Sequence, residues 1–313
     1  TLRKLEISKN QATLQGTDIH GAIYLEFCHR LVVSDCIFFK NKNKGGSGSL
    51  VIHYTNKAIV VRSKFLKNYA KTGAGMYSFH CKSIVIYKCL LTMNVARYLA
   101  GSIHIEENNN IIITETHFQA NTAIVAGALH LAKIKVCNVF SSLLLDNIGT
   151  NRAGGLQITN LVRNIQTLVV IFNCLFKGNI APEEGTAISV KLIQVVVIAN
   201  TPISLNIKQT TAGSAVLVQS KSMHFYNISF NHIIEKILLF DLLISLHAEI
   251  KNVTILCPTA TYLHEHLSVH KVDESFPVWY TCKSCDKNFY IFKPDIWSIN
   301  RHIRHFESNK EPY

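Results

Sequence analysis

Asparagine returns along this chain at a nearly constant interval, and that interval constrains the fold more than any other feature. Asn41, Asn68, Asn94, Asn121, Asn147, Asn179, Asn206 and Asn231 are separated by 27, 26, 27, 26, 32, 27 and 25 residues. Three residues before each stands a large apolar side chain: Phe38, Phe65, Leu91, Phe118, Leu144, Phe176, Ile203 or Ile228. Glycine follows six or seven residues after most of them, at Gly48, Gly75, Gly101, Gly127, Gly154, Gly185 and Gly213. A unit this small cannot bury a core alone. It must stack on its neighbours, so the chain predicts a solenoid.

The segments ahead of the asparagines decide which solenoid. "RLVVSDCIFF", "NKAIVVRSKF" and "NNIIITETHF" are rich in Val, Ile, Thr and Phe and too short between turn residues to be helices. About three short strands per repeat give a parallel β-helix of about nine coils over residues 1–257, an all-β fold. The asparagines are expected at tight corners, where they tolerate left-handed backbone and stack into a hydrogen-bonded ladder. The glycines are expected to supply φ freedom at the next corner.

The F-x-x-N and G-G-A-(I/L/V) repeats resemble those of the polymorphic outer membrane proteins and related right-handed β-helix domains, which also occur in large extracellular animal proteins. Phe118, Asn121, Gly127, Ala128 and Leu129 carry the resemblance, as do Phe176, Asn179, Gly154, Gly155 and Leu156. It covers roughly residues 5–257 and implies a right-handed coil. No transmembrane barrel follows in this sequence, so secretion of the bacterial autotransporter kind is not implied.

With 313 residues, 48% apolar and only 17% charged, the chain has material for a long core. The most apolar run, "ILLFDLLISL" at 237–246, is short and contains Asp241, so no membrane span is expected. The formal net charge of +12 invites an anionic partner such as an acidic glycan or phospholipid headgroups. Along the chain the basic residues are scattered, without basic blocks interleaved with aromatics, which argues against nucleic acid. Thr1 starts in mid-coil, with Ile7 three before Asn10. The open coil end is therefore expected to meet further protein or a second copy.

Of nine cysteines, Cys36, Cys89 and Cys174 all lie five before a ladder asparagine and read as buried thiols of one inward column, with Ser63, Thr116 and Ser142 in register. Cys28 and Cys81 share a position two coils apart, roughly 10 Å and beyond disulfide reach. Cys137 reads as a sixth buried thiol. After Cys257 the repeat is lost. The segment 258–313, with C-P-x-x-x-Y-L and Y-x-C-x-x-C-x-x-x-x-Y, is similar to the cysteine-rich, growth-factor-receptor-like modules that follow β-helices in large cell-surface proteins. That resemblance implies a disulfide from Cys257 to Cys282 or Cys285. Zinc on Cys282, Cys285, His302 and His305 is disfavoured, because the spacing departs from that of the common finger. Asn227 and Asn252 head glycosylation sequons, which suits an extracellular or cell-surface location.

Two outward columns bear on function. After each glycine, Tyr24, Val51, Ser78, His104, His130 and Gln157 are expected to stack, beside Glu26, His53, His80, Glu106, Ala132 and Thr159. Glu26, His53, His80, His104, Glu106 and His130 would then share a face able to hold a metal or a sugar, or to act as acid and base. No dense Asp cluster accompanies them, so no residue is assigned a catalytic role, and no cofactor is called for. A second column of Val32, Ile59, Val85, Ile112, Val170 and Val197 is expected as an apolar stripe, to be covered by the chain's own tail, residues 258–313, by a second copy or by another extracellular protein. The reading is an extracellular structural or adhesion segment of a larger fibrous assembly. A carbohydrate-binding or carbohydrate-cleaving β-helix is the alternative.

Overall fold

The computed structural model describes residues 1–12, 21–160, 166–182, 185–204, 206 and 215–230, together with the backbone of residues 207, 208, 214 and 231 and of the strands Ile237–Leu243, His247–Leu256, Thr261–Leu267, Val278–Ser284 and Ile296–Arg304. The chain is a parallel β-solenoid of about eight turns, against the nine expected. Every described pairing up to His247–Leu256 is parallel, between one coil and the next.

Each complete coil before Ile188 uses four strands, where the sequence reading expected three; from there the first two run together as Ile188–Ala199. In one coil these are Leu50–His53, Lys57–Val61, Lys64–Leu66 and Tyr69–Thr72. The fourth belongs to a separate eight-stranded sheet. Its sequences are polar and carry small inward residues, Ala70, Ala96 and Ala123, which is why they read as turns. The second and third strands bury alternate side chains, as in Lys57–Val61, where Ala58 and Val60 point inward, whereas the first buries nearly every residue, as in Leu50–His53.

The core is built from columns of like residues. Phe38, Phe65, Leu91, Phe118, Leu144 and Phe176 are equivalent in register and essentially fully buried. The rings of Phe38 and Phe65 stack with centroids 4.6 Å apart. Burying each such side chain contributes about 1.5–3 kcal/mol.

Beside this column runs the asparagine ladder. The backbone N–H and Nδ2 of Asn68 both donate to Oδ1 of Asn94, at 3.0 and 2.9 Å, and Nδ2 also donates to the carbonyl of Phe38 at 3.0 Å. The same bonds repeat through Asn10, Asn41, Asn94, Asn121, Asn147, Asn179 and Asn206. Asn231 falls outside the ladder, because it lies opposite Ser204 and not Asn206.

The corner chemistry differs from expectation. The ladder asparagines are not left-handed; the preceding residue is, with φ of 53° at Lys40, 54° at Lys67 and 55° at Met93. That arrangement leaves the asparagine side chain free to turn inward while its predecessor projects to solvent. The glycines likewise serve close approach more than φ. A Cβ on Gly101 would lie 2.2 Å from the Gly127 carbonyl oxygen, and the left-handed residue there is Ala100. Gly185, at φ 56°, does use its freedom.

Cys36, Cys81, Cys89, Cys137 and Cys174 are buried free thiols, and Cys28 is a half-buried one. Burial pushes the Cys89 and Cys174 thiols up to about 11. At the far end, the antiparallel strands Val278–Ser284 and Ile296–Arg304 pair with Ile237–Leu243 and His247–Leu256. Cys257, Cys285 and His305 lie outside the described residues, as do the side chains of Cys282, His302 and Asn252.

Candidate functional site

The face expected to gather imidazoles and carboxylates lies on the outer side of the strands Ile23–Glu26, Leu50–His53, Met76–Phe79, Ile103–Glu106, Leu129–Ala132 and Leu156–Thr159. One column in register reads Tyr24, Val51, Tyr77, His104, His130, Gln157. The next reads Glu26, His53, Phe79, Glu106, Ala132, Thr159.

Tyr77 and Phe79 therefore stand where Ser78 and His80 were expected. The fourth strands absorb one residue more or less from coil to coil, with a register shift between Ala70 and Thr72 against the neighbouring strand. Counting from Gly75 carries the wrong phase into this coil, and a one-residue slip reverses every side chain. Ser78 points inward instead, accepting from Asn108 Nδ2 at 2.9 Å.

His80 sits at the corner after the strand, in left-handed backbone with φ 55°. Phe27, Tyr54, Glu107 and Lys133 hold the same corner position in neighbouring coils, all left-handed. Charges close on one another here. His80 Nδ1 is 2.7 Å from Glu107 Oε2, and Lys133 Nζ donates at 2.8 Å to both Glu106 Oε1 and Glu107 Oε1. These two carboxylates raise the lysine above its ordinary value. Phe27 and Tyr54 stack at 5.2 Å, and Phe27 is 73% exposed.

The imidazoles of the first column are buried, although their strand position is outward. His104 is 4% exposed and His130 8%. The turn out of the fourth strand lies against His104: the backbone of Gly73, left-handed at φ 54°, passes so close that a Cβ there would lie 3.0 Å from Cβ of His104. Their rings meet edge to face at 4.8 Å, and both His104 nitrogens and His130 Nδ1 lack a hydrogen-bond partner. Burial pulls His130 down to about 4, and burial followed by the charge of His130 holds His104 well below the usual imidazole value. Both are neutral at pH 7.

His104 Nε2 stands 3.9 Å from Glu106 Oε2, beyond hydrogen-bond reach. His53 is buried, with the Tyr24 hydroxyl 3.2 Å from its Nδ1. Glu26 ends its strand exposed at the surface. The six candidates are thus divided among a buried stack, a paired corner and an exposed strand end. Among the described residues, no three His, Cys, Asp or Glu side chains converge as metal ligands. A cavity lined by Asn10, Asn41, Gly48 and Tyr69, among others, takes no lining residue from this face.

The outward stripe is continuous in register as Val32, Ile59, Val85, Ile112, Asn138, Val170 and Val197, each half-buried, with Asn138 interrupting it. Asn227 is exposed at a left-handed corner, its Nδ2 donating to Asn200 Oδ1 at 2.9 Å.

Sequence reasoning missed one surface. At the corner before the asparagine ladder, Lys9, Lys40 and Lys67 occupy equivalent positions in successive coils. The signal was the repeated Lys-Asn pair at Lys9-Asn10, Lys40-Asn41 and Lys67-Asn68.

The chain matches no family model, no curated protein and no solved structure. The likeness to polymorphic outer membrane protein repeats therefore extends to a β-helix repeat and no further, and nothing found supports a growth-factor-receptor-like module. Among the described residues, no helix is long and apolar enough to cross a membrane.

Proposed function

We propose that this chain is a structural or adhesion segment of an extracellular assembly, acting by presenting surface and not by catalysis. One observation carries the reading: the chemistry-bearing side chains of the first sheet satisfy or bury one another. Glu106 and Glu107 share Lys133, and His104 and His130 are buried. Glycosidic cleavage by paired carboxylates needs two of them flanking a substrate with different proton affinities. Here the two carboxylates that lie together are both bound to one ammonium group.

The half-buried Val32, Ile59, Val85 and Ile112 supply a lateral apolar contact, and the exposed Asn227 suits a glycosylated surface. Incubation with acidic and neutral polysaccharides should release no new reducing ends. Cleavage that disappears in Glu106→Gln would overturn the reading. Expression through a secretory pathway should place glycan on Asn227, detected by peptide mass mapping; an unmodified Asn227 in secreted material would count against the extracellular assignment.

A further inference from the structure

The three stacked lysines belong to a larger ridge. Register places Lys64 beside the Lys67 corner and Lys42, Lys71 and Arg97 on the following strands, and all seven cations are exposed. Successive corner lysines are separated by about 4.8 Å, the distance between paired strands. Like charges stacked directly across strands destabilise one another.

Elsewhere the chain avoids that cost. Arg62 binds Asp35 of the adjacent coil through two hydrogen bonds of 2.7 and 2.9 Å, and Lys88 lies 3.4 Å from Glu115. Lys133 takes two carboxylates. No described ion pair involves any of the seven ridge cations. Four are instead steadied over aromatic rings: Lys40 over Phe39, Lys42 over Tyr69, and Lys71 and Arg97 over Tyr98. Such contacts orient a cation and leave its charge uncompensated.

We propose that the ridge formed by Lys9, Lys40, Lys64, Lys67, Lys42, Lys71 and Arg97 binds a linear acidic glycan, sulfated or carboxylated, lying along the solenoid axis. This rests on the non-catalytic reading above and names the partner class for it. A line of cations repeating once per coil matches an extended polyanion whose charges also repeat along a line. Single-stranded nucleic acid fits less well, because its binding surfaces combine charge with open aromatic platforms. Here three of the aromatic faces already hold cations.

The test uses the full chain and heparin as probe, with neutral dextran as blank. A Lys9→Gln/Lys40→Gln/Lys67→Gln variant is compared with Lys57→Gln/Lys82→Gln/Lys135→Gln, which removes the same charge from exposed positions off the ridge. Circular dichroism checks that both fold. The ridge variant should bind heparin about tenfold more weakly or worse, and its log affinity should fall less steeply with log salt, by about one unit or slightly less per lost cation. The off-ridge variant should stay within about threefold of the parent, since distant exposed charges are screened. Equal loss in both variants would overturn the proposal, as would tighter binding to a single-stranded DNA oligonucleotide or to phosphatidylserine vesicles. Cleavage of the heparin would sink the non-catalytic reading alone, leaving the ridge to stand or fall by the two variants.

Discussion

Two corners of the same solenoid receive identical backbone treatment and opposite electrostatic treatment. At the corner after the first sheet, left-handed residues Tyr54, His80, Glu107 and Lys133 alternate in kind, and the charges close within the protein. At the corner before the asparagine ladder, left-handed residues Lys9, Lys40 and Lys67 repeat in kind, and the described residues provide no counter-charge. The fold fixes where a corner side chain stands, one per coil. The sequence then decides whether neighbouring coils or an outside partner completes it.

The largest expected effect would dissolve both corners together. Asn94→Ala removes the Oδ1 that accepts from Asn68 N and Nδ2, strands the Phe65 carbonyl that Nδ2 of Asn94 serves, and opens a void in a fully buried column. A loss of about 4 kcal/mol is expected from the unsatisfied groups and the cavity, read as a shift of the urea midpoint. A loss under about 1 kcal/mol would mean that the ladder does not hold the corners in register.

Acid should come next, and it acts beside the first corner alone. His104 and His130 are buried and neutral, so the unfolded chain takes up protons near pH 6.5 that the folded chain refuses until about pH 4 for His130. Stability is then complete above about pH 6.5 and falls as pH drops through that window, by roughly 3 kcal/mol for His130. Urea midpoints measured from pH 7 to pH 4 should show the decline. Replacing both imidazoles, in His104→Gln/His130→Gln, should flatten it, and an unchanged slope would place the imidazoles in water.

Smaller effects separate the corners directly. Lys133→Gln leaves Glu106 and Glu107 facing each other and should cost about 1 kcal/mol, as expected of an exposed three-charge network. Lys9→Gln/Lys40→Gln/Lys67→Gln should instead raise Tm slightly, by about 1 °C, because it removes stacked repulsion. Opposite signs in scanning calorimetry would sharpen the contrast between the corners. A destabilised lysine variant would mean that the ridge is satisfied internally after all.

The ladder and the Phe/Leu column were legible because a fixed offset from asparagine survives any change elsewhere in the repeat. The phase of the first sheet was not, because the fourth strand takes up single-residue differences between Ala70 and Thr72 that leave no mark in composition. His104 and His130 alternate as outward residues yet are interior, and at His104 it is the backbone of Gly73 that returns over the strand. The lysine ridge was present in plain sight as three Lys-Asn pairs. Counting charges along the chain scattered it, and counting them once per repeat collects it. Asn231 shows the opposite hazard, since a residue of the right type near the right interval lies opposite Ser204.

The asparagine ladder also has a direction. From Asn10 to Asn206, each side chain turns Oδ1 toward the lower-numbered coil and offers Nδ2 to the higher one. The amide dipoles therefore add head to tail, in a buried column where hydrogen bonds polarise one another. Their negative pole lies at the lower-numbered coils, beneath Lys9, Lys40 and Lys67, as the carboxyl end of a helix lies beneath its favoured cations. The solenoid is in this respect an electrically polar rod. Its interior field eases the crowding of positive charge at the end where the lysines stand.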